Sequence, residues 1–356
     1  MLSIPWQSES LKCAVKTHEA AYKKLDQVLR DLAAGRAICK LDRKKNPVIW
    51  VKGVAANTRA RQYYNKLLKE LGSDSFCSLP PQRLHEVCGN MKKWERTTTV
   101  PKSAKRVLEG LYDYGRFGKG LRPSYDMTKG VLKWEKDPKG WDAWSYIKVL
   151  DVRSCVYCNA DSVFAIEVSR GKEKVRKRSA CDHFYGHSKY PFAGITLSNL
   201  IPSCTRCNTN IKGSREFDKG KYVYPYEDSF HEGARFAVAY APGKGVTMLD
   251  VGDVAIGIVA DQRTGIGRKA AKSAKFFCLP EVYNQLHRED ALAVVQRELM
   301  YSESYREFLR SKYPGVENRV FDRIQNGMCL DPDAINKHNL AKMIRDVVSQ
   351  FRVIEK

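Results

Sequence analysis

Three short stretches decide the reading of this chain: CVYC at 155–158, CDHFYGHSKYPF at 181–192 and LSNLIPSCTRCNTNIK at 197–212. Two Cys-x-x-Cys pairs, Cys155/Cys158 and Cys204/Cys207, have 45 residues between them. Each pair forms a tight knuckle, and two knuckles supply the four thiolates of a tetrahedral zinc site. A zinc ion with four thiolates keeps no open position for water, so the sequence predicts a structural Zn²⁺ that does no chemistry. A redox role is the poorer reading, because no thioredoxin-like βαβ pattern flanks either pair. The gap is also longer than in a zinc ribbon, so an inserted element must lie between the knuckles.

Within that gap, residues 164–168 and 179–183 read as two short strands. A loop carrying Arg170, Lys172, Lys174, Arg176, Lys177 and Arg178 joins them. A helix is expected from Asn208 onward. The order is strand, strand, helix, with Asp182 and His183 at the end of the second strand. From 166 to 215 there are 10 Lys or Arg against 3 Asp or Glu. Such a field suits phosphates, and a lone carboxylate inside it suits a divalent cation.

Cys-x-x-Cys, then Asp-His, then Asn-Leu, then Cys-x-x-Cys-Asn-x-x-x-Lys resembles the HNH, or ββα-metal, endonucleases in their four-cysteine zinc form. The resemblance covers residues 155–213. DHFYGHSKYP followed by LSNLIPSC is most similar to HNH proteins of prokaryotic anti-phage systems, of the Septu and retron type. DHFYPKS is commoner there, and Gly186 and His187 depart from it. The YNQLHREDALAVV stretch near 283 also resembles their C-terminal helix.

The resemblance implies His183 as general base, taking a proton from a water that attacks phosphorus. It implies Asp182 and Asn208 as ligands of a catalytic Mg²⁺ or Mn²⁺. Asn208 stands where a second His is usual, as in the HNH domains of CRISPR effectors and some phage resolvases. Asn199 takes the middle position, orienting His183 or bracing the loop. A left-handed knuckle residue is the alternative for Asn208, and a surface role the alternative for His187. Arg206, Lys212, Arg176, Lys177 and Arg178 are candidate phosphate contacts, with a solvated face as the alternative. The family also implies a partner ATPase.

The whole chain carries 62 Lys and Arg against 40 Asp and Glu, a net charge of +22. That excess points to nucleic acid, because cations on phosphates release condensed counterions. No run of 18 apolar residues is present, so no membrane span is expected, and no basic-then-apolar leader is evident. A cytoplasmic location is expected. Eleven cysteines in such a chain do not read as a disulfide framework.

The fold class read from the sequence is α+β, with a zinc-stapled ββα motif between two lobes. Residues 1–145 read as a mainly helical basic lobe, 146–220 as the motif, and 221–356 as a small antiparallel sheet followed by helices. In the first lobe, helices are expected at 9–34, 57–71 (Asn57 as cap, Gly72 as stop) and from Ser103 to about 114. Residues 115–140 read as an irregular linker. In the last lobe, 221–226, 235–241, 246–249 and 254–260 read as strands, 282–309 as one long helix, and a final helix runs from Asp331-Pro332 to about Val353. Trp134, Trp141 and Trp144 read as a packed brace rather than a base-stacking platform.

Three functions compete: a metal-dependent nuclease acting on DNA, with RNA also open; a zinc-bearing nucleic-acid binder or assembly factor that does not cut; and an interaction protein docking an ATPase. The Asp182-His183 pair favours the first, since a binder has no need of a carboxylate among cations.

Overall fold

In the computed structural model, which describes residues 2–41, 47–50, 57–171, 173–328 and 330–352, the N-terminal helices follow local chemistry at their ends. Asn57 caps the helix Thr58–Leu71 by accepting from the Ala60 amide at 3.1 Å. Gly72, at φ 63°, stops it. The expected 9–34 helix is two, Glu9–Tyr22 and Lys24–Ala33. A tighter bond from the Asp26 amide to the Lys23 carbonyl, 3.1 Å, marks the break.

A 15-residue helix, Pro81–Glu95, lies between the second and third expected helices. Pro81 sits in its first turn, where a missing N–H is harmless, so Pro80-Pro81 starts a helix here instead of preventing one. The third expected helix is Lys102–Leu111, with Pro101 rather than Ser103 before its first turn.

The supposed linker at 115–140 is ordered. It holds a short helix, Tyr114–Gly118, and a hairpin. With β1 (Cys39–Leu41), β2 (Pro47–Ile49), β3 (Leu121–Asp126) and β4 (Val131–Lys136), this region forms a four-stranded sheet in the order β2-β1-β4-β3. The Gly and polar residues are turn chemistry: Asp126 Oδ1 accepts from the amides of Thr128 and Lys129, and Gly130 has φ 62°.

After the helix Ala143–Leu150 come β5 (Ala165–Arg170), β6 (Glu173–Arg178), β7 (Ala180–His183) and β8 (Leu200–Ser203). Among the described residues, β5 pairs only with β6 and β7 only with β8, both antiparallel. The basic run is therefore a hairpin of its own, not the loop expected from the sequence. Its alternating charges conceal strand periodicity because neither face is strongly apolar. Lys172 lies outside the described residues.

In the last third, β9 (Ala234–Tyr240) and β10 (Val254–Ala260) make a two-stranded antiparallel sheet. Residues 221–226 are turns and Val246–Met248 a 3₁₀ turn, not strands. The expected 282–309 helix is divided into Leu279–Leu286, Arg288–Met300 and Glu303–Lys312. Asp331 caps a 3₁₀ turn, Pro332–Lys337, and the final helix is Ala341–Phe351. The expected end at Val353 falls outside the described residues.

One continuous buried cluster includes Leu25 and Val28, Cys155 and Phe184, and Phe236, Tyr283 and Val347. All three sequence segments thus share a core. Among the described residues, no helix is long and apolar enough to cross a membrane.

Candidate functional site

The sulfurs of Cys155, Cys158, Cys204 and Cys207 all lie within 4.8 Å of one another and are buried. Cys158 Sγ and Cys204 Sγ are 4.0 Å apart. Thiolates on a tetrahedron about zinc sit roughly 3.8 Å apart for bonds of about 2.3 Å, so these four could hold one such ion. The surrounding donors suit thiolates: the Cys204 amide points at Cys155 Sγ (3.3 Å) and the Cys207 amide at Cys204 Sγ (3.4 Å). Every described cysteine is free of disulfide, and Cys329 lies outside the described residues.

The left-handed knuckle residue is Asn159, φ 56°, rather than Asn208. Asn159 also ties the C-terminal segment to the first knuckle. Its side chain accepts from the Lys342 amide (2.8 Å), donates to the His338 carbonyl (3.0 Å), and its carbonyl takes the Leu340 amide (2.6 Å). Spacing alone offered no hint of this.

The second knuckle runs directly into a π-helix, Arg206–Lys212, which packs against β7. A strand–strand–helix unit is present, but its strands are β7 and β8: the first strand expected from the sequence, at 164–168, pairs with β6 instead, and β8 was not expected. The signature of the π-helix is the i→i+5 bond from the Gly213 amide to the Asn208 carbonyl, 2.8 Å. Such wide turns recur at functional sites.

His183 ends β7. Its Nε2 lies 2.7 Å from the carbonyl oxygen of Gly194. A carbonyl only accepts, so Nε2 carries the proton and Nδ1 keeps the lone pair. Nδ1 has no hydrogen-bond partner among the described residues. Burial, aided by the nearby charges of His187 and Lys212, holds the ring pKa down to about 4. The ring is therefore a neutral base at pH 7. Tyr114 stands edge-on to it at 5.4 Å and the exposed His187 lies 5.2 Å away, centroid to centroid.

Asn199 is fully buried and uses its whole amide. Oδ1 accepts from the Tyr185 amide (2.7 Å), and Nδ2 donates to the carbonyls of Tyr185 and Ala193 (both 3.0 Å). It ties together the 185–193 loop. Asn208 is half-buried at the start of the π-helix, and its side-chain amide has no partner among the described residues.

Asp182 and Lys212 require correction. Lys212 was expected on a phosphate-facing surface, yet it is 2% exposed. Its ammonium sits 2.9 Å from Asp182 Oδ1 and 2.7 Å from the His183 carbonyl oxygen. The other oxygen of Asp182 accepts from Tyr157 at 2.6 Å. Both carboxylate oxygens are engaged, so Asp182 as folded does not fit a divalent cation. A lysine ammonium stands where the sequence suggested Mg²⁺ or Mn²⁺.

Arg206 is likewise turned inward, to Cys158 Sγ (3.6 Å) and Asp161 (3.1 Å), and supports the knuckle rather than a phosphate. Arg176 and Lys177 are exposed on β6. Arg178 donates to Tyr114 Oη at 3.0 Å, beside the His183 ring. Trp141 and Trp144, 7% and 8% exposed, are packed as expected of the tryptophan brace, whereas Trp134 is only half-buried, with Arg116 over its ring.

The segment carrying Gly194 is pinned by the N-terminal region. His18 Nε2 donates to the Ile195 carbonyl (2.8 Å), Thr196 Oγ1 to the Phe76 carbonyl (2.7 Å), and Ser198 Oγ to the Leu79 carbonyl (2.7 Å). A Cβ on Gly194 would lie 2.2 Å from the Tyr112 carbonyl oxygen, so only glycine permits this approach. None of these partners carries a local sequence signal. Comparison with protein-family models, with curated proteins and with solved structures finds no match.

Proposed function

We propose that the chain is an HNH-type endonuclease that hydrolyses phosphodiester bonds of nucleic acid, DNA foremost with RNA also open. The observation that carries this reading is the His183 ring. It is neutral, anchored through Nε2 on a backbone carbonyl, and presents a free Nδ1 at the end of a strand–strand–helix unit joined to a four-cysteine cluster. The order of Asp-His, Asn and Cys-x-x-Cys-Asn in a chain of net charge +22 adds to it.

In this reading, Nδ1 of His183 removes a proton from water as the water oxygen bonds to phosphorus. The bond from phosphorus to the 3′ oxygen breaks, and the leaving oxygen takes a proton from solvent. The products carry 5′-phosphate and 3′-hydroxyl ends. Positive charge gained by the ring strengthens its Nε2–H bond to the Gly194 carbonyl, as the third member of a triad does for its histidine. Asn208, whose amide has no partner among the described residues, would hold a phosphate oxygen. Zinc at the four cysteines cross-links the unit and supplies no reactive group. No step is routed through a divalent ion at Asp182, because Lys212 and Tyr157 already hold that carboxylate.

A non-cleaving nucleic-acid binder is the second reading, and the closed Asp182–Lys212 pair is what favours it. End-group analysis of a labelled DNA duplex separates the two. A nuclease leaves 5′-phosphate products that His183→Ala does not make. A binder shifts the duplex and leaves it intact.

The anti-phage resemblance further suggests a defence role beside a partner ATPase. The exposed apolar side chains Met300, Tyr305, Phe308 and Ile324 on the C-terminal helices would offer such a partner a face.

A further inference from the structure

The hairpin β5–β6 is the inserted element between the two knuckles, and the proposed hydrolysis makes no use of its outer face. Cross-strand pairing places Ile166 opposite Lys177, and Val168 opposite Val175. Arg170 continues the same face by alternation. Ile166 and Val168 are 49% and 41% exposed, and Arg170 and Lys177 are exposed too. Neither cation is in an ion pair among the described residues, although Glu173 stands opposite Arg170 across the hairpin, whereas Arg176 and Lys174, on the other face, pair with Glu167.

That second face is the root. Arg176 lies over the Trp144 ring at 4.4 Å, and Trp144 Nε1 donates to the Ile166 carbonyl at 3.0 Å. An isolated two-stranded hairpin is marginal in water, so these contacts hold it upright. Arg178, its last residue, is bonded to the Tyr114 hydroxyl, and the Tyr114 ring touches His183. The ribbon therefore rises from the edge of the histidine site.

We infer that β5–β6 is a groove-reading ribbon for double-stranded DNA, which it seats so that one strand passes His183. Residues 165–178 hold six Lys or Arg against two Glu, which complements a polyphosphate. Six-residue strands give a ribbon about 20 Å long. A two-stranded ribbon fits a major groove roughly 12 Å wide. A single-strand site instead combines cations with aromatic rings on which bases stack. The ribbon sequence from 165 to 178 contains no aromatic residue, and Phe164, exposed at its base, immediately precedes it. The exposed Ile166 and Val168 then meet base edges or thymine methyl groups while Arg170 and Lys177 reach phosphates.

The inference names the substrate of the proposed nuclease and rests on that reading only for cleavage. Binding is measured alone, by fluorescence anisotropy of a labelled duplex and of the same strand unpaired, both made with phosphorothioate linkages that resist cleavage. Arg170→Ala/Lys177→Ala, on an exposed face, should fold normally by circular dichroism. It should lose about tenfold in duplex affinity, with the salt dependence shallower by roughly two units in log–log slope. Wild type should favour duplex over single strand by at least about tenfold. Unchanged duplex binding in the double variant, or equal binding of the single strand, overturns the ribbon assignment. Neither result depends on whether His183 cuts.

Discussion

His18 and Ile195, 177 residues apart, are joined by a buried hydrogen bond of 2.8 Å, one peptide away from the carbonyl that holds His183. Trp141 Nε1 donates to the other ring nitrogen of His18 at 2.9 Å, which fixes the tautomer. Burial keeps this imidazole neutral, with its pKa pushed down to about 3. Two imidazoles thus grip successive carbonyls, Gly194 from β7 and Ile195 from the N-terminal helix. That places the N-terminal region in the role of a scaffold for the site.

His18→Ala leaves the Trp141 N–H and the Ile195 carbonyl buried and unpaired, and opens a cavity. A loss of about 3 kcal/mol or more is expected by urea unfolding. Nitrogen-15 spectra of histidine-labelled protein should also show His183 no longer held wholly as the Nε2–H tautomer. A loss below about 1 kcal/mol with unchanged His183 signals would refute the scaffold role.

Metal analysis of the purified chain should find one zinc per molecule. Cys207→Ser should reduce that content and unfold the central segment, because thiolate ligation is coupled to folding. Full helicity and a normal melting curve in zinc-free protein would show that the four sulfurs hold no ion.

Lys212→Met strands a buried carboxylate at Asp182. Breaking such a pair costs about 3–5 kcal/mol, whereas replacing both partners is far milder. The double variant Asp182→Asn/Lys212→Met should therefore recover most of the loss in a denaturation cycle. Additive losses would mean that the two side chains do not depend on each other.

Asp26, 4% exposed, has its pKa raised to about 6, chiefly by burial, with the hydrogen bond from Tyr112 and the charge of Arg30 opposing the rise. A raised folded-state pKa adds stability that is complete below the unfolded value near 4 and is lost as pH climbs through about 6. Asp26→Asn, which does not ionise, should gain on wild type across that window by an amount on the order of 3 kcal/mol. Parallel stability curves from pH 4 to 8 would contradict this.

How much could be read from the chain depends on how local the chemistry is. The knuckles at Cys155 and Cys204 were legible because each pair of metal ligands is four residues long. The Asn57 cap and the Gly72 stop were legible for the same reason. The basic hairpin was not, since alternating Lys, Arg and Glu mask a strand that buries neither face. The helix at Pro81 was hidden because Pro-Pro reads equally as a breaker and as a first turn. Lys212 looked like a surface cation. Only the fold brings Asp182 beneath it, 30 residues back. His18 was invisible as a site residue, because its partners lie 123 and 177 residues away.

The most direct measurement is nicking of supercoiled plasmid by wild type and His183→Ala, side by side in the same buffer. Wild type should convert plasmid to open-circle and linear forms, and the variant should be slower by about 100-fold or more while retaining zinc and duplex affinity. Equal nicking by the two proteins would contradict the assignment of His183 as the base.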